Sequence, residues 1–130
     1  MKKKAAISRR KVHKKVQKML LNFDKIEEKV IPQFRGGEKE TIARMFTDPL
    51  IKIMRGKLAP GASIGLHTHE TNSEVIYILE GEGKVLYDGA YESVAAGSCH
   101  YCPKGHEHSL INDSKADLIF FAVVPEHGEN

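Results

Sequence analysis

The sequence predicts an all-β sandwich or barrel behind a basic N-terminal extension. Three observations carry this. From Thr41 onward, short runs rich in Val, Ile, Leu and Tyr alternate with turns built on Gly, Pro, Asp and Asn. Residues 1–18 hold nine Lys or Arg and no acid, whereas the rest holds 11 basic and 17 acidic residues, a net of −6 beneath an overall +3. No apolar run approaches the roughly 18 residues that a membrane span needs.

A chain of 130 residues is one domain. We divide it into an extension, residues 1–33, and a barrel domain, residues 34–130. With no Trp, five Phe and four Tyr, the core must be mainly aliphatic. Two cysteines do not make a secreted disulfide framework. The apolar run behind the basic start is only Met19-Leu20-Leu21, short of the roughly 7–15 residues of a signal-peptide core, so a cytoplasmic location is expected.

Within the extension, like charges favour disorder. Val12, Val16, Met19, Phe23, Ile26 and Val30 nevertheless recur at alternating fours and threes, which predicts an amphipathic helix ended by Pro32. Such a basic helix could contact RNA or anionic lipid. The plainer reading is a solvated tail whose helical end packs on the barrel. The barrel lacks a Lys/Arg stripe with interleaved aromatics, so no nucleic-acid contact is expected there.

The strands follow in order. Leu50–Leu58 is the first clear one, turned by Pro60-Gly61. Ala62–His69 and Glu74–Leu79 come next, and Gly81-Glu82-Gly83 predicts a tight hairpin into Lys84–Tyr87. Asp88-Gly89 is a two-residue hairpin signal before Tyr91–Val94. Ser98–Cys102, His106–Ile111 and Asp117–Val124 complete the set. Residues 34–50 lack a clear place in one barrel.

Two patterns lie on this frame. The first is Gly61, five residues, His67-Thr68-His69, four residues, Glu74, six residues, Gly81. The second is Gly97, five residues, Pro103, one residue, Gly105, two residues, His108, three residues, Asn112. Residues two apart on a strand share a face, which brings His67 and His69 together. With Glu74 and His108 they make three imidazoles and one carboxylate, a donor set suited to one divalent transition metal per chain: Mn, Fe, Co, Ni or Zn. The glycines stand where strands must reverse, and glycine reaches positive φ without steric cost.

These two patterns resemble the motifs of the cupin superfamily at every defining position, over roughly residues 50–125. The resemblance implies a small double-stranded β-helix, or jelly roll, with His67, His69, Glu74 and His108 as metal ligands. Ser98 stands where the family often has an acid, a position that is not a ligand. Small cupins often pair through N-terminal strands, so a homodimer is expected. The family spans dioxygenases, decarboxylases, isomerases and non-catalytic binders. The expected function is therefore a metalloenzyme acting on a small oxygenated substrate, with non-catalytic binding or sensing of a small molecule as the alternative.

Parity extends the site. Inward His67 and His69 place Gly65 and Ser63 inward, and inward Glu74 places Ile76 and Ile78 inward. Met54 and Lys52 share the face of Leu58, putting Lys52 near a rim. His106 is the candidate catalytic acid or base: on a regular strand it shares a face with His108, on a turn it is exposed. Either His100 or Tyr101 faces inward. Cys99 and Cys102 could suggest a zinc or redox pair, but residues three apart on a strand point to opposite faces, which favours two small apolar side chains.

Overall fold

Strand pairing, rather than the apparent helical period, organises the start of the chain. The computed structural model describes residues 19–128; the basic arm, with Val12 and Val16, lies outside the described residues. From Met19 the chain makes a single 3-10 turn at Phe23–Lys25 and then strand β1, Lys29–Pro32. The expected helix is absent here, for a visible reason. Ile26 is extended (φ −85°, ψ 135°), and the Arg44 guanidinium donates to the carbonyls of Asp24 at 3.3 Å and Ile26 at 2.6 Å. Phe23 packs edge-on against Phe121, ring centroids 5.6 Å apart. Short helices are marginal in water, and these tertiary contacts win. Pro32 sits on an edge strand, where its missing N–H costs nothing.

Residues 34–50 also find a place. They hold strand β2, Glu40–Thr47, paired antiparallel to β1 and to β3, Ile51–Leu58. Next come β4, Ser63–Thr68; β5, Glu74–Glu80; β6, Glu82–Tyr87; β7, Ala90–Ala95; β8, Cys99–Cys102; β9, Glu107–Ile111; and β10, Leu118–Pro125. The eight strands expected from Leu50 onward are all present, with ends within two residues. One sheet has the order β1-β2-β3-β10-β5-β8 and the other β4-β9-β6-β7. Facing each other, they form the jelly-roll barrel.

Alternation fills the space between the sheets. Along β10, Leu118, Phe120, Ala122 and Val124 point inward. Met54, Leu58, Ile76 and Ile78 join them from the larger sheet, and Ile64, Val85 and Leu110 from the smaller. Burying each large side chain contributes about 1.5–3 kcal/mol.

Two turns show how the sequence steers the chain. Asp88 (φ 47°) and Gly89 (φ 86°) make the two-residue β6–β7 hairpin, with Tyr87 opposite Ala90. Gly81 (φ 87°) does not make the expected hairpin. β5 and β6 belong to different sheets, and Gly81 is the corner where the chain crosses between them. A Cβ there would lie 2.3 Å from the carbonyl oxygen of Asp117, so the crossing needs glycine.

Candidate metal centre

Three strands and one loop bring the four candidate ligands together at one end of the barrel. His67 on β4 lies directly across from His108 on β9. His69 follows β4, and Glu74 opens β5 on the opposite sheet. A bulge between Ile64 and His67 shifts the register of β4. It overturns the simple parity of that strand: Ile64 reaches the cavity, while Ser63 is buried beneath the Glu38 backbone. Parity holds on β5, where Glu74, Ile76 and Ile78 are all buried.

One donor atom from each of His67, His69, Glu74 and His108 lies within 4.8 Å of the others. The His69 Nε2 atom is 3.2 Å from His67 Nε2, 3.0 Å from His108 Nε2 and 3.0 Å from Glu74 Oε1. His108 Nε2 is 2.9 Å from Glu74 Oε1, and His67 Nε2 is 4.0 Å from it. The other ring nitrogens point outward to fixed partners. His67 Nδ1–H donates to the Gly65 carbonyl at 2.7 Å, and His69 Nδ1–H donates to Asn72 Oδ1 at 2.5 Å. His108 Nδ1 meets His100 Nε2 at 2.9 Å. With the outer nitrogens holding the protons, three lone pairs and a carboxylate converge, an arrangement able to hold a cation between them.

The spacing bears on coordination. Donors about 2.1 Å from an ion lie about 3.0 Å apart at adjacent octahedral positions and about 3.4 Å apart on a tetrahedron. The four short separations, 2.9–3.2 Å, with His67 Nε2 4.0 Å from Glu74 Oε1, are close enough for all four atoms to hold one ion.

Burial and hydrogen bonding hold His67 and Glu74 in their metal-binding forms. Burial pushes the His67 pKa down to about 4. For Glu74 burial acts upward, but hydrogen bonds with His108 and His69 prevail and hold it at about 2. His69 moves the other way: burial lowers its pKa, and hydrogen bonds with Glu74 and Asn72 more than reverse this.

Above the cluster is a cavity of about 100 Å³, lined by His67, His69 and Glu74 and walled by Arg35, Lys52 and Glu126 among others. Lys52 is on the inner face of β3 as its parity with Met54 predicts. His106 is not part of this cavity. It sits at the turn before β9, half-exposed, its Nδ1 2.5 Å from Asp88 Oδ2 and its ring stacked on Tyr87. His100 faces inward and Tyr101 outward. Cys99 is exposed and Cys102 buried, both free. Burial pushes the Cys102 thiol up to about 12, a value suited to an inert thiol.

The chain matches the family model described as a cupin domain over residues 54–124. It belongs to the cupin family. This cupin is 34% identical over 112 residues to the oxalate-binding protein of Thermotoga maritima, covering 82% of this chain and 93% of that one. A solved structure from the same organism, described as a predicted oxalate decarboxylase, superposes with a TM-score of 0.78 at 32% identity, over 83% of this chain and 99% of that one. A sugar phosphate isomerase from Silicibacter pomeroyi shares the fold, with a TM-score of 0.69 at 20% identity, over 83% and 76% of the two chains.

Sequence reasoning missed three contributors. Arg35 comes from the segment without an evident place and carried no signal. Asn72 and Glu126 escaped because their role is to hold other groups: Asn72 Nδ2 donates to Glu126 Oε2 at 2.6 Å while its oxygen accepts from His69 Nδ1–H. The position of Asn72, between two ligands, was the available hint.

Proposed function

We propose that this cupin holds one divalent transition metal on His67, His69, Glu74 and His108 and uses it to bind, and in the fullest case transform, a small oxygenated ligand. The observation that carries this reading is the cavity of about 100 Å³ directly over the four converging donors. Ordinary ligand pockets start near ~300 Å³, so only a molecule of a few heavy atoms fits. When bound, the metal supplies a Lewis acid that polarises a ligand oxygen. The protein's residues do the rest. Gly65, Asn72 and His100 fix the three imidazoles, and the apolar side chains of Met54, Ile64 and Val124 line the cavity, limiting water beside the ligand.

Capture without turnover is favoured by a specific observation. The acids of the wall are already engaged: Asp48 Oδ1 accepts from the backbone N–H of Leu50 and Ile51, and Glu126 accepts from Thr71 and Asn72. Neither is placed as a free general base. The relative described as oxalate-binding supports capture, and the one described as a predicted oxalate decarboxylase supports turnover.

The test is metal analysis of protein expressed with Mn, Fe, Co, Ni and Zn, followed by calorimetric titration with small carboxylic acids before and after chelation. Binding that needs the metal is the expected result. Binding that survives full chelation would remove the metal from the proposal. Product formation from the bound acid decides between enzyme and receptor; no product under any metal leaves the receptor.

A homodimer is retained as a proposal, supported by Tyr77, Leu79 and Tyr101 exposed on the outer face of the larger sheet; sedimentation at micromolar concentration tests it. No helix of the described residues is long and apolar enough to cross a membrane. A cytoplasmic location stays a proposal for cell fractionation. Contact of the basic arm with RNA or anionic lipid is tested by salt-dependent binding of the full chain.

A further inference from the structure

The lobe that carries Arg35 is anchored to the barrel mainly through its backbone, with Ser63 Oγ also accepting from the Glu38 N–H and Lys39 Nζ donating to the Pro60 carbonyl. Gln33 N–H donates to the Lys39 carbonyl at 2.7 Å, closing the lobe, and Ser63 N–H donates to the Glu38 carbonyl at 3.0 Å. Between these bonds the chain lies directly on β4. A Cβ on Gly65 would fall 2.0 Å from the Arg35 carbonyl oxygen, and one on Gly37 would fall 2.0 Å from the Ser63 carbonyl oxygen. Arg35 itself has φ 56° and ψ 27°, left-handed backbone that a non-glycine residue adopts at a cost and that recurs at ligand clamps. The lobe thus holds Arg35 in an unfavourable conformation at the wall of the metal cavity.

Lys52 reaches the same cavity from β3. Its Nζ is 5.8 Å from the centroid of the Phe34 ring, and the Arg35 Cζ is 5.9 Å from that same ring. Burial, followed by the charge of Arg35, pushes the Lys52 pKa down. Among the described residues neither cation has a hydrogen bond or ion pair, whereas the nearby acids do: Asp48 with two backbone N–H groups, Glu126 with Thr71 and Asn72. Two like charges held together are unfavourable, and the nearby charges of Glu74 and Glu126 offset burial and the Arg35 charge at Lys52 only in part, which leaves the pair a place for a ligand anion.

Resting on the reading of a metal-held oxygenated ligand, we propose that Arg35 and Lys52 select for a dianion: a compact dicarboxylate whose one end lies over the four-donor cluster and whose outer oxygens meet the two cations. The size of the cavity limits it to about two to four carbons. Arginine suits the role because its planar fork presents paired donors to a carboxylate.

The experiment compares oxalate with glycolate on the full chain loaded with Mn(II). Both present two oxygens for the same five-membered chelate, but oxalate is a dianion that leaves two outer carboxylate oxygens, whereas glycolate is a monoanion that leaves one. The variants are Arg35→Gln, Lys52→Met and the charge-conserving Arg35→Lys, each checked for manganese content and melting temperature. Arg35→Gln should weaken oxalate by about tenfold or more, the scale of a hydrogen bond to a charged group, and glycolate, with one outer carboxylate oxygen instead of two, by a clearly smaller factor. Lys52→Met should act the same way more weakly, and Arg35→Lys should recover part of the loss. Equal weakening of both acids, or no change in either, overturns the selection while leaving metal-dependent capture standing. If the parent binds neither acid with manganese in place, both readings fall.

Discussion

His108 and His106 stand two residues apart, each beside a carboxylate, and end in opposite roles. His108 is almost fully enclosed, with Glu74 and two further imidazoles at its Nε2 and His100 at its Nδ1. His106 has 43% of its side chain exposed and meets a carboxylate, Asp88, that is 41% exposed. Water competes for the outer pair and screens it. Around the inner pair water is excluded and further donors converge, so the same two residue types become a place for an ion. Convergence and burial, rather than a histidine–carboxylate contact, distinguish the two.

The largest expected contrast is metal content. His69→Ala or Glu74→Gln should abolish stoichiometric metal, and His106→Ala should leave it at the parent's level; elemental analysis reads both. Loss of metal in His106→Ala would break the comparison. Stripping the metal comes next. A site held at about 100-fold over its Kd stabilises the fold by about 2.7 kcal/mol. Chelation should therefore lower the melting temperature of the parent and of His106→Ala alike, and leave Glu74→Gln almost unmoved.

A smaller effect falls on the partner of each histidine. His100→Phe removes the acceptor opposite His108 Nδ1 and should weaken metal binding by about 10–100-fold, the usual cost of losing an outer hydrogen-bond partner. Asp88→Asn, the matching change outside, should leave affinity unchanged. Competition with a chromogenic chelator measures both. The last effect is of pH on the metal-free protein. Burial holds His67 and His100 at about 4 in the folded chain, against 6.5 when unfolded. The unfolded chain then binds more protons across this window, so stability is full above pH 6.5 and declines as pH falls toward 4. His69, with its raised pKa, acts oppositely: its contribution is full below pH 6.5 and fades as pH rises through its folded pKa. Calorimetry between pH 4 and 8 should show the decline.

Much of this was readable in advance. The four donors and their turn glycines lie at fixed spacing, and Gly61, Gly81, Gly97 and Gly105 all adopt positive φ, between 85° and 95°. Alternation was plainest on β5 and β10, which bury Ile76, Ile78, Leu118, Phe120 and Val124, and the turn residues marked the remaining strands. β2 was obscure because its buried positions are Thr41 and Ala43, small residues with little hydrophobic signal. The false helix arose because Phe23, Ile26 and Val30 are apolar for reasons of sheet and ring packing, which period alone cannot separate from a helical face. Gly81 showed that a turn was needed but not that it joined different sheets. Arg35 was invisible because nothing local marks a residue that reaches the cavity only when its segment folds back onto β4.

The contact between Gly65 and the Arg35 carbonyl has a practical consequence for redesign. Because the lobe is attached through main chain and paired glycines, its grip on the barrel does not depend on which side chain position 35 carries. A combinatorial library at positions 35 and 52, screened against acids of different length and charge, therefore alters the rim while leaving the ion-holding frame intact. Randomising position 65 instead would dislodge the lobe in nearly every clone, which makes that glycine the boundary between what can be evolved freely here and what cannot.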